Sequence, residues 1–374
     1  MAVGVDGRDW PGGVGDTSPS GDALPGRHDG DVPLYGALDL GTNSCRLLVA
    51  KPTRRGFTVK DTFFRIVRLG EGVGRSGRLS DVAMSRTIDA LQLCADILKK
   101  RRVKRSRLVT TEACRVAVNA AEFLAEVYRS TGLELEILTR ENEAKLAVSG
   151  CAALLDDRSD LVLVFDIGGG SSELIWLDLA QREHGFGRSI DARLEAQNCI
   201  AAWTSLPVGV ETLAEHFGGG EAHPRAFEAM VAHVQEMLAP FEAKGRFRER
   251  MRHRSTHLLG TSGTVTTVAG IHLGLEKYNR SRVDGCWMQV DEARAVTRRL
   301  LEKTRAERVA EPCIGRDRAD LMLAGCAILE AIVRTWPCEH LRVADRGLRE
   351  GILASMMAED GFGRGTRNYH ESLR

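Results

Sequence analysis

The chain has 374 residues, with 52 Lys plus Arg against 51 Asp plus Glu and a formal charge of +1. That length accommodates two domains, each with its own core. The balanced charge excludes binding to nucleic acid or a membrane surface through a global basic field, and no apolar stretch approaches the roughly 18 residues of a membrane span.

Residues 1–33 carry many glycines with prolines, serines and aspartates and no apolar period, a composition expected to remain a disordered tail. They offer neither the basic start nor the apolar run of a secretory signal, which predicts a cytoplasmic protein. Apolar runs at 34–38 and 45–50 predict two strands flanking the turn Asp39-Leu40-Gly41-Thr42-Asn43-Ser44, and 57–69 extends the sheet. Met84, Ile88, Leu91, Ala95 and Leu98 recur at helical steps and predict a core-facing stripe. A short strand at 107–110 follows. Asn119 is then expected to cap a helix whose inner face is Phe123, Leu124, Val127 and Tyr128. A strand at 133–138, a helix from Asn142 and a charged break at 156–160 lead to a second sheet at 161–165.

There the opening order repeats. An apolar strand runs into Asp166-Ile167-Gly168-Gly169-Gly170-Ser171-Ser172-Glu173, and another strand covers 173–177, so the chain reads as internally duplicated. Two facing copies would set both turns across one cleft. A third glycine turn, Gly260-Thr261-Ser262-Gly263-Thr264, follows His257-Leu258-Leu259. A helical stretch from Asp320, with Leu321, Ala324, Ile328, Ala331 and Ile332 on one face, is expected to cover the second sheet. The nine cysteines show no C-x-x-C spacing and read as reduced, mostly buried thiols, and His253 with His257 makes a poor zinc pair.

Consecutive glycines let successive N–H groups converge on an anion, so three such turns point to phosphate. An aspartate beside a phosphate repels it unless a hard cation lies between. Asp39 and Asp166 therefore suggest phosphates bridged by Mg²⁺ or another divalent cation. The competing reading is a set of glycine-rich hairpin turns in which aspartate merely tolerates the geometry.

These motifs, in this order and together with Leu348-Arg349-Glu350-Gly351-Ile352-Leu353, resemble the exopolyphosphatase and guanosine pentaphosphate phosphatase family over about residues 34–358. The resemblance implies an α/β architecture: two ribonuclease-H-like domains of the actin-like, sugar-kinase-like ATPase fold around one cleft. The domains would be 34–146, with 347–361 returning to it, and 147–346, leaving 362–374 as a second tail. It implies that Thr42, Asn43 and Ser44 form a first phosphate loop and Gly168, Gly169, Gly170, Ser171 and Ser172 a second. Gly260, Ser262 and Gly263 match the position where kinases of this fold hold adenosine. Within Thr111-Glu112-Ala113-Cys114-Arg115, Arg115 matches the arginine that grips the phosphate being cleaved; the plain alternative is an ion pair with Glu112. Glu143, in Glu141-Asn142-Glu143-Ala144-Lys145, matches the base, and Lys145 stands where the family has arginine. Glu173 would share the water or, with Asp39 and Asp166, hold the metal. Arg346 departs from the family's Asp-Gly and could add charge near the cleft, while 278–285 reads as a basic loop, either solvated or steering anions.

The implied activity is removal of the terminal phosphate from inorganic polyphosphate or guanosine pentaphosphate, by a short two-domain form without nucleic-acid or membrane partners, and the resemblance is compatible with a homodimer. The alternatives are a small-molecule kinase of the same fold, or a non-catalytic actin-like or chaperone-like nucleotide switch.

Overall fold

The computed structural model describes residues 32–181, 189–218, 224–316 and 318–363. The apolar runs flanking the first turn pair as β1 (Tyr35–Leu40) and β2 (Ser44–Thr53), followed by β3 (Gly56–Ile66), β4 (Arg105–Thr110) and the two-residue β5 (Glu136–Ile137). Their order is β3-β2-β1-β4-β5. The meander β1–β3 is antiparallel, whereas β4 and β5 add in parallel after helical crossovers.

The second sheet contains β6 (Leu161–Ile167), β7 (Ser172–Asp178), β8 (Ile200–Leu206), β9 (Thr256–Thr261), β10 (Trp287–Gln289) and β11 (His340–Ala344), in the order β10-β11-β9-β6-β7-β8. Setting aside β10, this repeats the first sheet strand for strand: an antiparallel meander, then two parallel additions beside its first strand. The duplication read from the sequence is thus a duplication of topology.

Helices Asp81–Lys100 and Ala120–Thr131 cover one face of the first sheet. The apolar helix Met322–Thr335 lies in the core of the second, with Pro224–Gly245, Gly263–His272 and Val290–Leu301. The opposite faces are covered by exchange. Helix Leu348–Glu359 returns to the first sheet through Ile352, Leu353, Met356 and Met357, while helix Arg140–Cys151 contributes Ala144, Val148 and Cys151 to the second core. Position 146, expected as a domain boundary, falls inside that single helix: Leu146 packs with the first core and its neighbours Ala144 and Val148 with the second.

Several local expectations need correction. Asn119 precedes its helix without capping it; its side chain instead accepts from Leu79 N (2.9 Å) and donates to Leu79 O (3.0 Å). Tyr128 is 62% exposed, because only Phe123 and Val127 of the proposed inner face are fully buried. The strand expected over 133–138 shrinks to Glu136–Ile137 at the sheet's edge. Residues 1–31 and 364–374 lie outside the described residues, but the supposed tails, 1–33 and 362–374, each reach one or two residues into the packed chain. Val32 and Phe362 are buried in the first core, and Phe362 meets Tyr35 edge-on at 6.0 Å between ring centroids. No described helix is long and apolar enough to cross a membrane.

Candidate active site

The two aspartate-glycine turns leave their sheets at equivalent points. Asp39 and Asp166 each occupy the penultimate position of a sheet's first strand, and each turn closes through one matching bond, Gly41 N to Ser44 O and Gly168 N to Ser171 O, both 2.9 Å. The loops also touch. A Cβ added to Gly169 would stand 3.0 Å from the Thr42 Cβ and 3.2 Å from the Asn43 backbone nitrogen, so a side chain there would part the loops.

The loop carbonyls are drawn backwards. Thr42 O accepts from Gly70 N (2.9 Å), Asn43 O from Val67 N (2.9 Å) and Arg68 N (3.0 Å), Gly168 O from Val210 N (2.9 Å) and Gly169 O from Glu211 N (2.9 Å). Among the described residues the N–H groups of Thr42, Asn43, Gly169 and Gly170 have no acceptor, leaving donors suited to an anion.

These loops line an open cleft of about 930 Å³ together with Asp39, Asp166, Glu143, Glu173, Ser262 and Gly263. Ser262 holds φ at +98°, unusual for a residue with a side chain, and its buried Oγ has no partner; buried Asn43 Oδ1 is also unpartnered. Strain and unsatisfied polar atoms concentrated in one cleft are typical of a binding site.

Glu143 enters the cleft from the first turn of helix Arg140–Cys151, which starts where the Thr139 hydroxyl accepts from Asn142 N (3.3 Å). Arg115 Nη1 donates to Glu143 Oε2 at 2.7 Å and to Leu138 O at 2.8 Å, and its Nε donates to Glu112 Oε2 at 2.9 Å. Arg115 thus forms the Glu112 ion pair of the plain reading and, in addition, grips Glu143. Its remaining nitrogen, Nη2, is buried without a partner. Glu112 is further held by Arg140 at 2.7 Å. Across the cleft, Glu173 Oε1 accepts from Ser171 Oγ (2.7 Å) and Ser205 Oγ (3.0 Å).

Burial pushes Asp39 above the usual carboxylate range, against the pull of Arg46 and Arg349. Burial likewise takes Asp166 up to about 6, with Arg46 opposing and the Asp39 charge assisting. Glu173 reaches about 7 through burial and the neighbouring Asp166 charge. Glu143 lies well above its ordinary value because it is buried and faces Glu173, with Arg115 pulling it back. Buried carboxylates that raise one another's pKa mark a place where cationic charge is favourable. Among the described residues, however, no three His, Cys, Asp or Glu side chains gather into a ready-made metal site, so Asp39, Asp166 and Glu173 do not by themselves make a coordination sphere.

Three candidates do not line the cleft, and of these Arg115 meets it through its bond to Glu143. Ser172 is buried and donates to Val208 O (2.7 Å), because strand alternation turns it away from the cleft. Gly260 lies within β9, where an added Cβ would come within 2.5 Å of the Phe165 ring, so it serves sheet packing. Lys145 makes an exposed pair with Glu141 at 2.7 Å. Arg346 is held by Asp284 (Nε to Oδ2, 2.9 Å), and the basic segment 278–285 is tied down by Arg280 to Glu350 (2.8 Å) and by Tyr278 to Asp345 (2.6 Å), so neither of these arginines is a free steering charge.

Two arginines were missed. Arg46 and Arg318 line the cleft mouth and lie over the same Phe64 ring, at 5.6 and 5.3 Å from its centroid. Arg46 was within reach of sequence reasoning, since it stands two residues beyond Ser44 on the same face of β2. Arg318 is brought there only by the chain's long return.

The Ppx/GppA phosphatase family profile matches residues 49–360. A guanosine-5'-triphosphate,3'-diphosphate pyrophosphatase of Aeromonas hydrophila is 30% identical over 329 residues, 88% of this chain and 60% of that protein. The Photobacterium profundum protein of the same name is 28% identical over 334 residues, 87% of this chain and 60% of its own length. The chain therefore spans about 60% of the length of these curated relatives. A Ppx/GppA family member from Aquifex aeolicus superposes with a TM-score of 0.69 at 26% identity, covering 88% of this chain and 99% of that one. An exopolyphosphatase from Cytophaga hutchinsonii superposes at 0.76 with 23% identity, covering 87% and 98%, a likeness of fold. Two ribonuclease-H-like domains of the actin-like ATPase fold facing one cleft are thus shared along nearly the full length of these structures, and the chain belongs to the Ppx/GppA phosphatase family.

Proposed function

We propose that the chain is a phosphohydrolase that removes the terminal phosphate of inorganic polyphosphate or guanosine pentaphosphate by attack of water. The observation that carries this reading is Glu143, a carboxylate gripped by Arg115 at 2.7 Å and lining the same cleft as two phosphate-type loops. The substrate's terminal phosphates lie against the free N–H groups of 42–43 and 169–170. Glu143 orients the water and takes its proton, a role that suits a carboxylate whose pKa burial and the facing Glu173 charge raise above its ordinary value. The unpartnered Arg115 Nη2 serves the phosphoryl oxygens as charge develops on them. Glu173, held by two serine hydroxyls, keeps a second carboxylate on the opposite wall.

Asp39 and Asp166 are the residues that would hold a divalent cation. Magnesium is commonly held by one or two carboxylates, with substrate oxygens and water completing its shell, and the two cleft aspartates can supply that share. Such an ion, when bound, neutralises the phosphate chain.

Purified protein should release phosphate from polyphosphate or guanosine pentaphosphate much faster than from ATP, and excess chelator should abolish the reaction. Equal turnover of all three, or full activity in chelator, would contradict the substrate class and the cation requirement respectively.

A further inference from the structure

The elements that pull the loop carbonyls backwards are connected to each other. Behind the first loop stands the segment 67–72, whose N–H groups hold Thr42 O and Asn43 O. Behind the second stands helix Val210–His216, whose first N–H groups hold Gly168 O and Gly169 O. One turn beyond Glu211, Glu215 reaches from this helix across the domain boundary, and its Oε1 accepts the Gly72 N–H at 3.1 Å. The result is a hydrogen-bonded path around the outside of the cleft, from one loop to the other, that crosses between the domains at the Glu215 carboxylate. Next to that crossing Glu211 is buried with Oε2 unpartnered, and Arg68 is the cation that most opposes its raised pKa.

We propose that Glu215 is a positioning residue: by latching helix Val210–His216 to the segment 67–72 it sets the spacing between the loops 41–44 and 168–171. The inference rests on the reading of the cleft as a phosphohydrolase site, because half of the phosphate grip comes from each domain. A phosphate chain held by both loops reacts only when the two sets of N–H donors, Glu143 and Arg115 share one frame, and small misplacements are costly. A carboxylate accepting an N–H is a charge-assisted bond, stronger than a neutral one, and suits a single-point latch. Glu215 is not among the residues that line the cleft, so its effect on turnover runs through the loops.

The test compares Glu215→Ala with Glu215→Gln, which keeps a carbonyl oxygen for the Gly72 N–H. Hydrogen exchange would be followed by mass spectrometry at peptides covering Gly72, 41–44 and 168–171, alongside thermal melts and phosphate release from polyphosphate. Glu215→Ala should deprotect the Gly72 peptide and both loop peptides and lower kcat/KM by ~10-fold or more, with its melt still cooperative. Glu215→Gln should recover most of both losses. Unchanged exchange at the loops in Glu215→Ala, or a Gln variant as impaired as Ala, would overturn the latch. The exchange readout needs no turnover. If the wild-type protein hydrolysed no phosphoanhydride, the proposed function would fall while the latch was still judged by the loop peptides.

Discussion

Replacing Gly209 with alanine should cripple turnover without unfolding the protein. Gly209 has φ −132° and ψ −174°, extended values that alanine adopts freely, so the substitution adds no backbone strain. The obstacle is contact. A Cβ at this position would lie 2.4 Å from both the carbonyl carbon and the oxygen of Gly169 and 2.5 Å from Gly168 O, about 1 Å inside an ordinary 3.4 Å contact. Neither side can yield cheaply, since Val210 and Glu211 bind those same carbonyls at 2.9 Å. The second loop must therefore retreat by about 1 Å or lose those bonds, and a displacement of that size near reacting atoms costs roughly 100-fold in rate. Overpacking of this kind destabilises by about 1–3 kcal/mol. Phosphate release across a range of polyphosphate concentrations, with a thermal melt on the same samples, measures both. Gly132→Ala is the control: Gly132 has φ +70° with nothing within 4 Å of an added Cβ, so it should cost about 1 kcal/mol and leave turnover alone. Wild-type kcat/KM in Gly209→Ala would refute the idea that this backbone contact sets the loop.

Three further outcomes are expected. Glu143→Gln keeps an oxygen for Arg115 but cannot take a proton, so turnover should fall by roughly 100- to 10,000-fold while the melting temperature holds or rises; near-normal turnover would move the base role to Glu173. Arg115→Lys keeps the charge but loses the fork that reaches Glu112, Leu138 O and Glu143 together, and a drop of ~10-fold or more is expected, whereas a harmless substitution would reduce Arg115 to a structural ion pair. Burial lowers His257 to about 4, while its Nδ1 pairs with Ser159 Oγ at 2.8 Å. Between pH 6.5 and 4 the unfolded chain therefore binds the proton that the folded one refuses, and stability falls on acidification by up to about 3 kcal/mol. Denaturant melts across that window should show a shallower acid loss in His257→Gln, and parallel curves would refute the assignment.

Much of this was legible in the sequence because it is local. Apolar runs ending in Asp-x-Gly specify strand and turn from neighbouring residues alone, and their recurrence at 39 and 166 gave away the duplicated topology. Glu143 was singled out through family resemblance and lines the cleft, whereas its pairing with Arg115 is a contact that no motif spelled out. The N-terminal boundary was less legible, because Val32 gains its burial only from a core assembled by distant segments.

What the sequence determined, then, is which segments become strands and turns and which turns carry glycine and aspartate together. Tertiary structure decided which side chains those turns would meet. Ser172 and Ser171 are adjacent and chemically alike, yet the pleat sends one into the core and the other to the cleft. Arg46 and Arg318, 272 positions apart, converge on one phenylalanine, and Glu215 finds Gly72 across a separation of 143 residues. Local preference is fixed by near neighbours along the chain, whereas such meetings depend on how two separately formed sheets pack around shared helices, a relation no stretch of sequence states by itself.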